Sequence, residues 1–217
     1  MNPATMSKAE IVSRLRFRCP HRHDGLTHHA CYTKAHDQER VGFLDIEATS
    51  LNASFGYMLS YCIKPLGKPV VKRPISPTEI KNLTFDKRLC KQLLADLGTY
   101  DRLVTYYGIG YDLPFLRTRC LTHGLDFPPM GSIFHTDVYY TVKSKLRLHR
   151  NRMEVACDQF GIESKGHRLT PKVWQEAQAG HKPAIDYVLQ HNVEDVISLE
   201  ALWTKLQGHF RVNKTSA

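Results

Sequence analysis

A single α/β domain with a mixed sheet is the fold class that the 217-residue sequence predicts. Three observations predict it. Three apolar stretches of strand length follow one another through short links, which is the pattern of an antiparallel meander. Two further strand-like stretches then alternate with helical patterns, and the last third of the chain is helical throughout. The composition, 42% hydrophobic and 24% charged, is that of an ordinary globular chain, and the length suits one such domain plus a small appendage.

Taken in order, residues 1–18 read as a polar, weakly helical arm with a helix start near Ser7. Residues 19–31 form a Cys/His-rich segment, and 32–40 a polar connector. Val41 to Glu47 is a buried strand, rich in apolar residues before its two acids. Tyr57–Lys64 and Val70–Arg73 are the second and third strands, with Lys64-Pro65-Leu66-Gly67 as the turn. Thr84–Leu97 is an amphipathic helix, because Leu89, Leu93, Leu94 and Leu97 recur at three- and four-residue spacing. Arg102–Tyr107 is a fourth strand. A Gly108-Ile109-Gly110 turn leads into a helix from Asp112 to His123, closed by Gly124. Ile133–Val138 is the fifth strand. Helices follow at about 138–148, 152–160, 171–179 and 183–208, the last with a core stripe of Leu189, Val193, Val196, Leu199, Trp203 and Leu206.

Carboxylates recur at the joints of this scheme. Asp45 and Glu47 are two apart on a strand, so they project to one side. Side by side in an apolar setting they repel unless a cation compensates; at a strand end they would be two surface acids. Asp112 opens a helix directly after a strand and a Gly-x-Gly turn, the edge where α/β sheets hold ligands, and it also has the chemistry of a helix cap. His191 and Asp195 are four apart on the last helix and share a face beside the stripe. Together they are four acids and one base. Four such carboxylates can hold two Mg²⁺ or Mn²⁺ ions about 4 Å apart for in-line displacement at phosphorus, with His191 as general base for the attacking water.

The formal net charge of +9 favours a polyanionic partner, nucleic acid above all. The run Val142–Arg152 holds five Lys or Arg, one His and no acid. It reads as a solvated helix face or as a phosphate-contacting surface; Lys143, Lys145 and Arg147 are its candidate contacts. The segment Cys19–Cys31 concentrates two of the six cysteines and four of the twelve histidines. Cys19, His21, His28 and Cys31, or a variant using His23 or His29, supply four ligands around a turn at Asp24-Gly25. That suits a structural zinc ion; the alternative is a His-rich loop with two incidental thiols. The other four cysteines sit in apolar contexts and read as reduced core thiols.

Three stretches carry a resemblance. Phe43-Leu44-Asp45-Ile46-Glu47-Ala48-Thr49, Leu103-Val104-Thr105-Tyr106-Tyr107-Gly108-Ile109-Gly110-Tyr111-Asp112-Leu113-Pro114-Phe115-Leu116 and His191-Asn192-Val193-Glu194-Asp195-Val196 resemble, in that order, the three motifs of the DEDD superfamily of 3′→5′ exonucleases. The resemblance covers residues 41–208. It implies a ribonuclease H-like fold with three antiparallel strands followed by two parallel ones, flanked by helices. It implies two metal ions on Asp45, Glu47, Asp112 and Asp195, and release of nucleoside monophosphates from 3′ ends. Two departures stand out. The second motif of the family often has Asn where this chain has Tyr107. The third pairs His191 with a spacing typical of members that use Tyr, whereas histidine members usually have one more intervening residue. Asp137 and Lys165 also resemble recurrent positions, Lys165 as a further substrate contact.

The expected organisation is an N-terminal basic arm with a zinc segment (1–40), a ribonuclease H-like exonuclease domain (41–210) and a short tail (211–217). The expected activity is metal-dependent 3′→5′ hydrolysis of DNA or RNA. A structure-specific endonuclease and a catalytically silent nucleic-acid-binding module are the alternatives. No apolar run approaches the roughly 18 residues of a membrane span, and Met1–Arg18 lack the apolar core of a signal peptide. The expected location is therefore the cytoplasm, or the nucleus in a eukaryote, without a membrane partner.

Overall fold

The computed structural model describes Met6 and residues 8–36, 39–129, 132–163 and 168–209. Lys165, the tail 211–217 and Ser7 lie outside the described residues. The chain divides into two compact units, Met1–Arg40 and Val41–Ala217.

In the first unit, α1 (Lys8–Arg16) and α2 (His29–Ala35) flank the Cys/His turn. α2 runs on through residues 32–35, into what the sequence reads as a polar connector. Its inward residues, His29, Tyr32 and Thr33, explain this: Tyr32 and Thr33 lie three and four residues after His29, on its face of the helix.

The second unit is built on β1 (Val41–Ala48), β2 (Met58–Pro65), β3 (Val71–Pro74), β4 (Arg102–Thr105) and β5 (Phe134–Asp137). They form one sheet in the order β3-β2-β1-β4-β5. β1–β2 and β2–β3 are antiparallel, and β1–β4 and β4–β5 are parallel. Short links allow the meander, whereas each parallel step needs a helical crossover, supplied by α4 (Lys87–Leu97) and α5 (Asp112–Thr122). A short α3 (Pro77–Lys81) precedes α4 where the sequence reading leaves a loop. Its start is a capping box: Ser76 Oγ accepts from Glu79 N–H while the Glu79 carboxylate accepts from Ser76 N–H.

After β5 come α6 (Val138–Lys145), α7 (Met153–Gln159), α8 (Pro171–Gln178) and α9 (Lys182–Leu206), the last ending in a 3-10 turn. None of the described helices is long and apolar enough to cross a membrane. The pleat divides the core in two. Leu44, Ile46 and Ala48 of β1 join Leu89, Leu93 and Leu97 of α4 and Leu113 and Leu116 of α5. Val41 and Phe43 point the other way, to Val138 and Val142 of α6 and Cys157 of α7. α9 serves both cores: Ala184, Ile185 and Val188 belong to the first, Val196, Leu199, Leu202 and Leu206 to the second. Its buried row therefore runs 188-192-195-199-202-206, not through Leu189, Val193 and Trp203, which only pack partly against the core. Asn192 and Asp195 lie in that row, with His191 on its flank. This corrects the reading that places Asp195 beside the stripe.

Candidate active site

β1 is the central strand and runs past its last pairing with β4, Phe43↔Val104. Beyond that point its β4-facing groups need other partners. Ile46 N–H finds one in Asp112, whose Oδ1 accepts at 3.2 Å. Asp112 is thus the first residue of α5, turned to the neighbouring strand; Tyr111 holds the cap position. On the other face, Asp45 and Glu47 continue the row of Val41 and Phe43 and end half-buried against α9.

Three side chains of this cluster, Glu47, His191 and Asp195, each offer a donor atom within 4.8 Å of the other two. His191 Nε2 stands 3.9 Å from Glu47 Oε1 and 3.7 Å from Asp195 Oδ2. Asp45 is anchored beside them, because Asn192 Nδ2 donates to its Oδ2 at 2.8 Å. Asn192 is fully buried. It escaped the sequence reading, although a polar residue in a buried helical row is expected to have a partner.

The electrostatics show how tightly the acids are gathered. Burial, with the nearby charges of Asp137 and Asp195, holds the Asp112 carboxyl well above the ordinary carboxylate range. Burial also raises the Tyr111 hydroxyl, and the charges of Asp112, Glu47 and Asp45 add to it. Burial raises the Cys62 thiol, and Asp45, Glu47 and Asp195 push the same way. Like charges crowded in a low-dielectric place favour a cation among them. Carboxylate oxygens gathered this way fit a hard divalent ion such as Mg²⁺ or Mn²⁺.

The turn carrying Asp112 is held by Asp137. Its Oδ1 accepts from Tyr107 N–H at 2.8 Å and its Oδ2 from Ile109 N–H at 3.0 Å, while Oδ1 also caps α6 through Tyr139 N–H at 3.1 Å. Asp137 is therefore a positioning residue. The left-handed residue of the turn is Tyr107, at φ 66°, not either glycine. That conformation explains why Asn, which tolerates it, suits the position. Gly108 is required for another reason: a Cβ there would lie 2.5 Å from Thr105 Cβ.

Lys143, Lys145 and Arg147 are exposed, the first two in the last turn of α6 and the third just after it. α6 ends at Lys145, shorter than the helix the sequence predicts, and Leu146 and Leu148 turn back onto the core. Tyr107, 46% exposed, meets the Tyr139 ring at 4.8 Å; Tyr140 meets it at 5.2 Å, and Lys143 Nζ lies 5.8 Å from its centre. In the N-terminal unit, Cys19, His21, His28 and Cys31 also come together, within 4.8 Å. His29 does not join them: its Nδ1 is 2.6 Å from Arg14 Nη1.

Comparison with known proteins agrees with this architecture. A family model described as the RNase H superfamily matches residues 42–207. A DNA polymerase of Methanocaldococcus jannaschii is 25% identical over 155 residues, covering 61% of this chain and 9% of that protein. Among solved structures, the family B DNA polymerase of the hyperthermophilic archaeon Pyrobaculum calidifontis superposes with a TM-score of 0.64 at 17% identity. That match covers 78% of this chain and 24% of the polymerase. The chain thus spans a small part of the length of either polymerase.

Proposed function

Because the chain belongs to the RNase H superfamily, we propose that it is a nuclease, and that its reaction is metal-dependent 3′→5′ exonucleolytic hydrolysis of DNA or RNA, releasing nucleoside monophosphates. One observation carries the reading. Glu47, His191 and Asp195 converge within 4.8 Å at the sheet edge where Asp112 and Asp45 are separately anchored.

Divalent cations bound by Asp45, Glu47, Asp112 and Asp195 would neutralise the phosphate and lower the pKa of the attacking water. The protein's own groups do the rest. Asn192 fixes Asp45, and the Ile46 N–H fixes Asp112, so neither carboxylate has to reorient when a phosphate arrives. His191 takes the proton of the attacking water at Nε2, and the imidazolium formed is stabilised by Glu47 and Asp195, each within 4 Å. The spacing that departs from the histidine members of the DEDD group still leaves His191 beside both carboxylates, because four residues bring a helical side chain back to the same face. Tyr107, Tyr139 and Tyr140 form an aromatic ledge, with Lys143, Lys145 and Arg147 beyond it. Such a ledge suits stacking of unpaired bases and contact with their phosphates.

The test is incubation with Mn²⁺ or Mg²⁺ and three substrates: 5′-labelled single strands, the same strands blocked at the 3′ end, and circles. The reading predicts a ladder shortening from the 3′ end, with blocked strands and circles intact. Cleavage of circles would instead establish an endonuclease, and binding without turnover a silent module.

A further inference from the structure

We propose that the N-terminal unit holds one zinc ion, on Cys19 Sγ, His21 Nδ1, His28 Nδ1 and Cys31 Sγ. The site goes beyond the nuclease reading and does not depend on it. Cys19 Sγ lies 3.1 Å from His28 Nδ1 and 3.8 Å from His21 Nδ1, and Cys31 Sγ lies 3.8 Å from His21 Nδ1. All four donor atoms fall within 4.8 Å of one another. In a tetrahedron with bonds of about 2.3 Å to sulfur and about 2.05 Å to nitrogen, ligand atoms stand roughly 3.3–3.8 Å apart. All three measured separations are sulfur–nitrogen pairs, for which these bonds give about 3.6 Å, so a central ion needs only small side-chain shifts.

The backbone builds the cluster from two halves. Arg22 N–H donates to Cys19 O at 2.8 Å and Cys19 N–H to His23 O at 3.0 Å. This tight turn, with Arg22 at φ 65°, folds His21 back toward the Cys19 sulfur. The second half is the start of α2. His28 sits at its cap and Cys31 three residues on, so both face the same way. Gly25 closes the loop between the halves: a Cβ there would meet the Tyr32 ring at 2.5 Å.

A disulfide is the competing use of two nearby thiols. It would make no use of His21 and His28, whose Nδ1 atoms lie against the sulfurs. The unit also has little apolar core of its own among the described residues. Among its described residues, Cys19 and Tyr32 are the only buried apolar side chains. Ser13 Oγ–Tyr32 Oη, Arg14–His29 and the Arg14–Tyr32 ring contact tie α1 to α2, but they do not make a core. Units this small are commonly held by a metal. On binding, each thiol loses its proton to solvent as the S–Zn bond forms, and the two thiolates balance the 2+ charge of the ion. No position is left open for a water or substrate, so the ion is structural.

A second described cluster, Asp86, Cys90 and His123, makes a useful contrast. Both Asp86 oxygens are already taken by Arg119, His123 and Met58 N–H, so its ligands are spent.

The full-length chain, purified from zinc-supplemented medium without chelator, is analysed for metal by mass spectrometry. About one zinc per chain is expected in the wild type and in His23→Ala, whose side chain is exposed and outside the cluster. Loss of most zinc is expected in Cys31→Ser and in His21→Ala. Replacement by Co²⁺ in the wild type, which does not depend on any variant folding, should give the intense visible absorption of a tetrahedral site with thiolate charge transfer. The proposal is overturned by a wild type that takes up neither zinc nor Co²⁺, by Cys19–Cys31 disulfide in the purified chain, or by His23→Ala losing zinc as His21→Ala does.

Discussion

Replacing Asn192 by leucine separates the positioning of Asp45 from the stability of the fold. Asn192 is fully buried in the α9 row, and its Nδ2 donates to Asp45 Oδ2 at 2.8 Å. Its Oδ1 meets no hydrogen-bond partner among the described residues. Leucine has the same branched heavy-atom skeleton with bulkier tips, so the row stays filled. The change removes a hydrogen bond to a carboxylate, worth about 1.5–3 kcal/mol, and with it an unsatisfied buried acceptor that costs about 1–3 kcal/mol. These offset, and Asp45 is half-buried and can rehydrate. The net change in stability is then about 1 kcal/mol, or roughly 2–4 °C in Tm for a chain of this size. Asp45 loses the contact that sets its rotamer. Loss of such a partner weakens metal binding about 10–100-fold, or about 1.4–2.8 kcal/mol, the size of the hydrogen bond itself. The assay is hydrolysis rate against Mn²⁺ concentration, paired with a melt of the metal-free protein. Half-saturating Mn²⁺ should rise 10–100-fold with Tm nearly unchanged. An unaltered Mn²⁺ dependence, or a fall in Tm beyond about 10 °C, refutes the reasoning.

Three further outcomes follow from the same geometry. Asp86→Ala strands Arg119 in the core beside α4 and should cost about 3–5 kcal/mol in denaturant unfolding, as expected when one partner of a buried pair is removed; a loss under about 1 kcal/mol contradicts it. Two contributions to stability should be lost on acidification, one after the other. Burial and Arg102 depress the folded His135 to about 4 from 6.5, so the unfolded chain binds the extra proton between those values and stability drops as pH falls through them. Burial opposes ionisation of Asp86, yet the Arg119 and His123 hydrogen bonds win and hold its carboxyl below 3.8, so its contribution is lost only at lower pH. Burial holds Asp112 and Asp137 high, so these two gain stability over the same window. The check is therefore the difference in unfolding midpoints between wild type and His135→Gln from pH 7 to 3, and a difference that stays constant between pH 6.5 and 4 removes the His135 contribution. Finally, Lys143→Glu with Lys145→Glu should raise the KM for single strands several-fold and reduce its salt dependence while leaving kcat close to wild type. A fall in kcat alone would contradict a substrate-contacting role.

Much of the sheet was legible because its signals are local. The apolar residues Val41, Phe43 and Leu44 announce the strand, the two-residue spacing of Asp45 and Glu47 announces their shared side, and the short links to β2 and β3 announce the meander. Asp112 was legible as an edge residue, but not its bond to Ile46 N–H, which depends on β4 stopping short beside β1. Helix registers failed where two cores compete for one helix. The apolar residues of α9 suit a stripe through Leu189 and Trp203, yet packing against both faces of the sheet rotates the row onto Asn192 and Asp195. α3 was written in Ser76-Pro77-Thr78-Glu79 and passed over, since five residues show no periodicity. Asp86 left no local trace, because Arg119 and His123 reach it from 33 and 37 residues away.

The central claim is that the gathered carboxylates hydrolyse nucleic acid. Its most direct measurement compares the wild type with Asp45→Ala and Asp195→Ala on 5′-labelled single-stranded DNA and RNA in Mn²⁺ and in Mg²⁺, with circular dichroism to verify the folds. The account predicts a metal-dependent ladder receding from the 3′ end for the wild type, and intact substrate for both variants with unchanged spectra. Full hydrolysis by either variant, or none by the wild type with either metal, would contradict it.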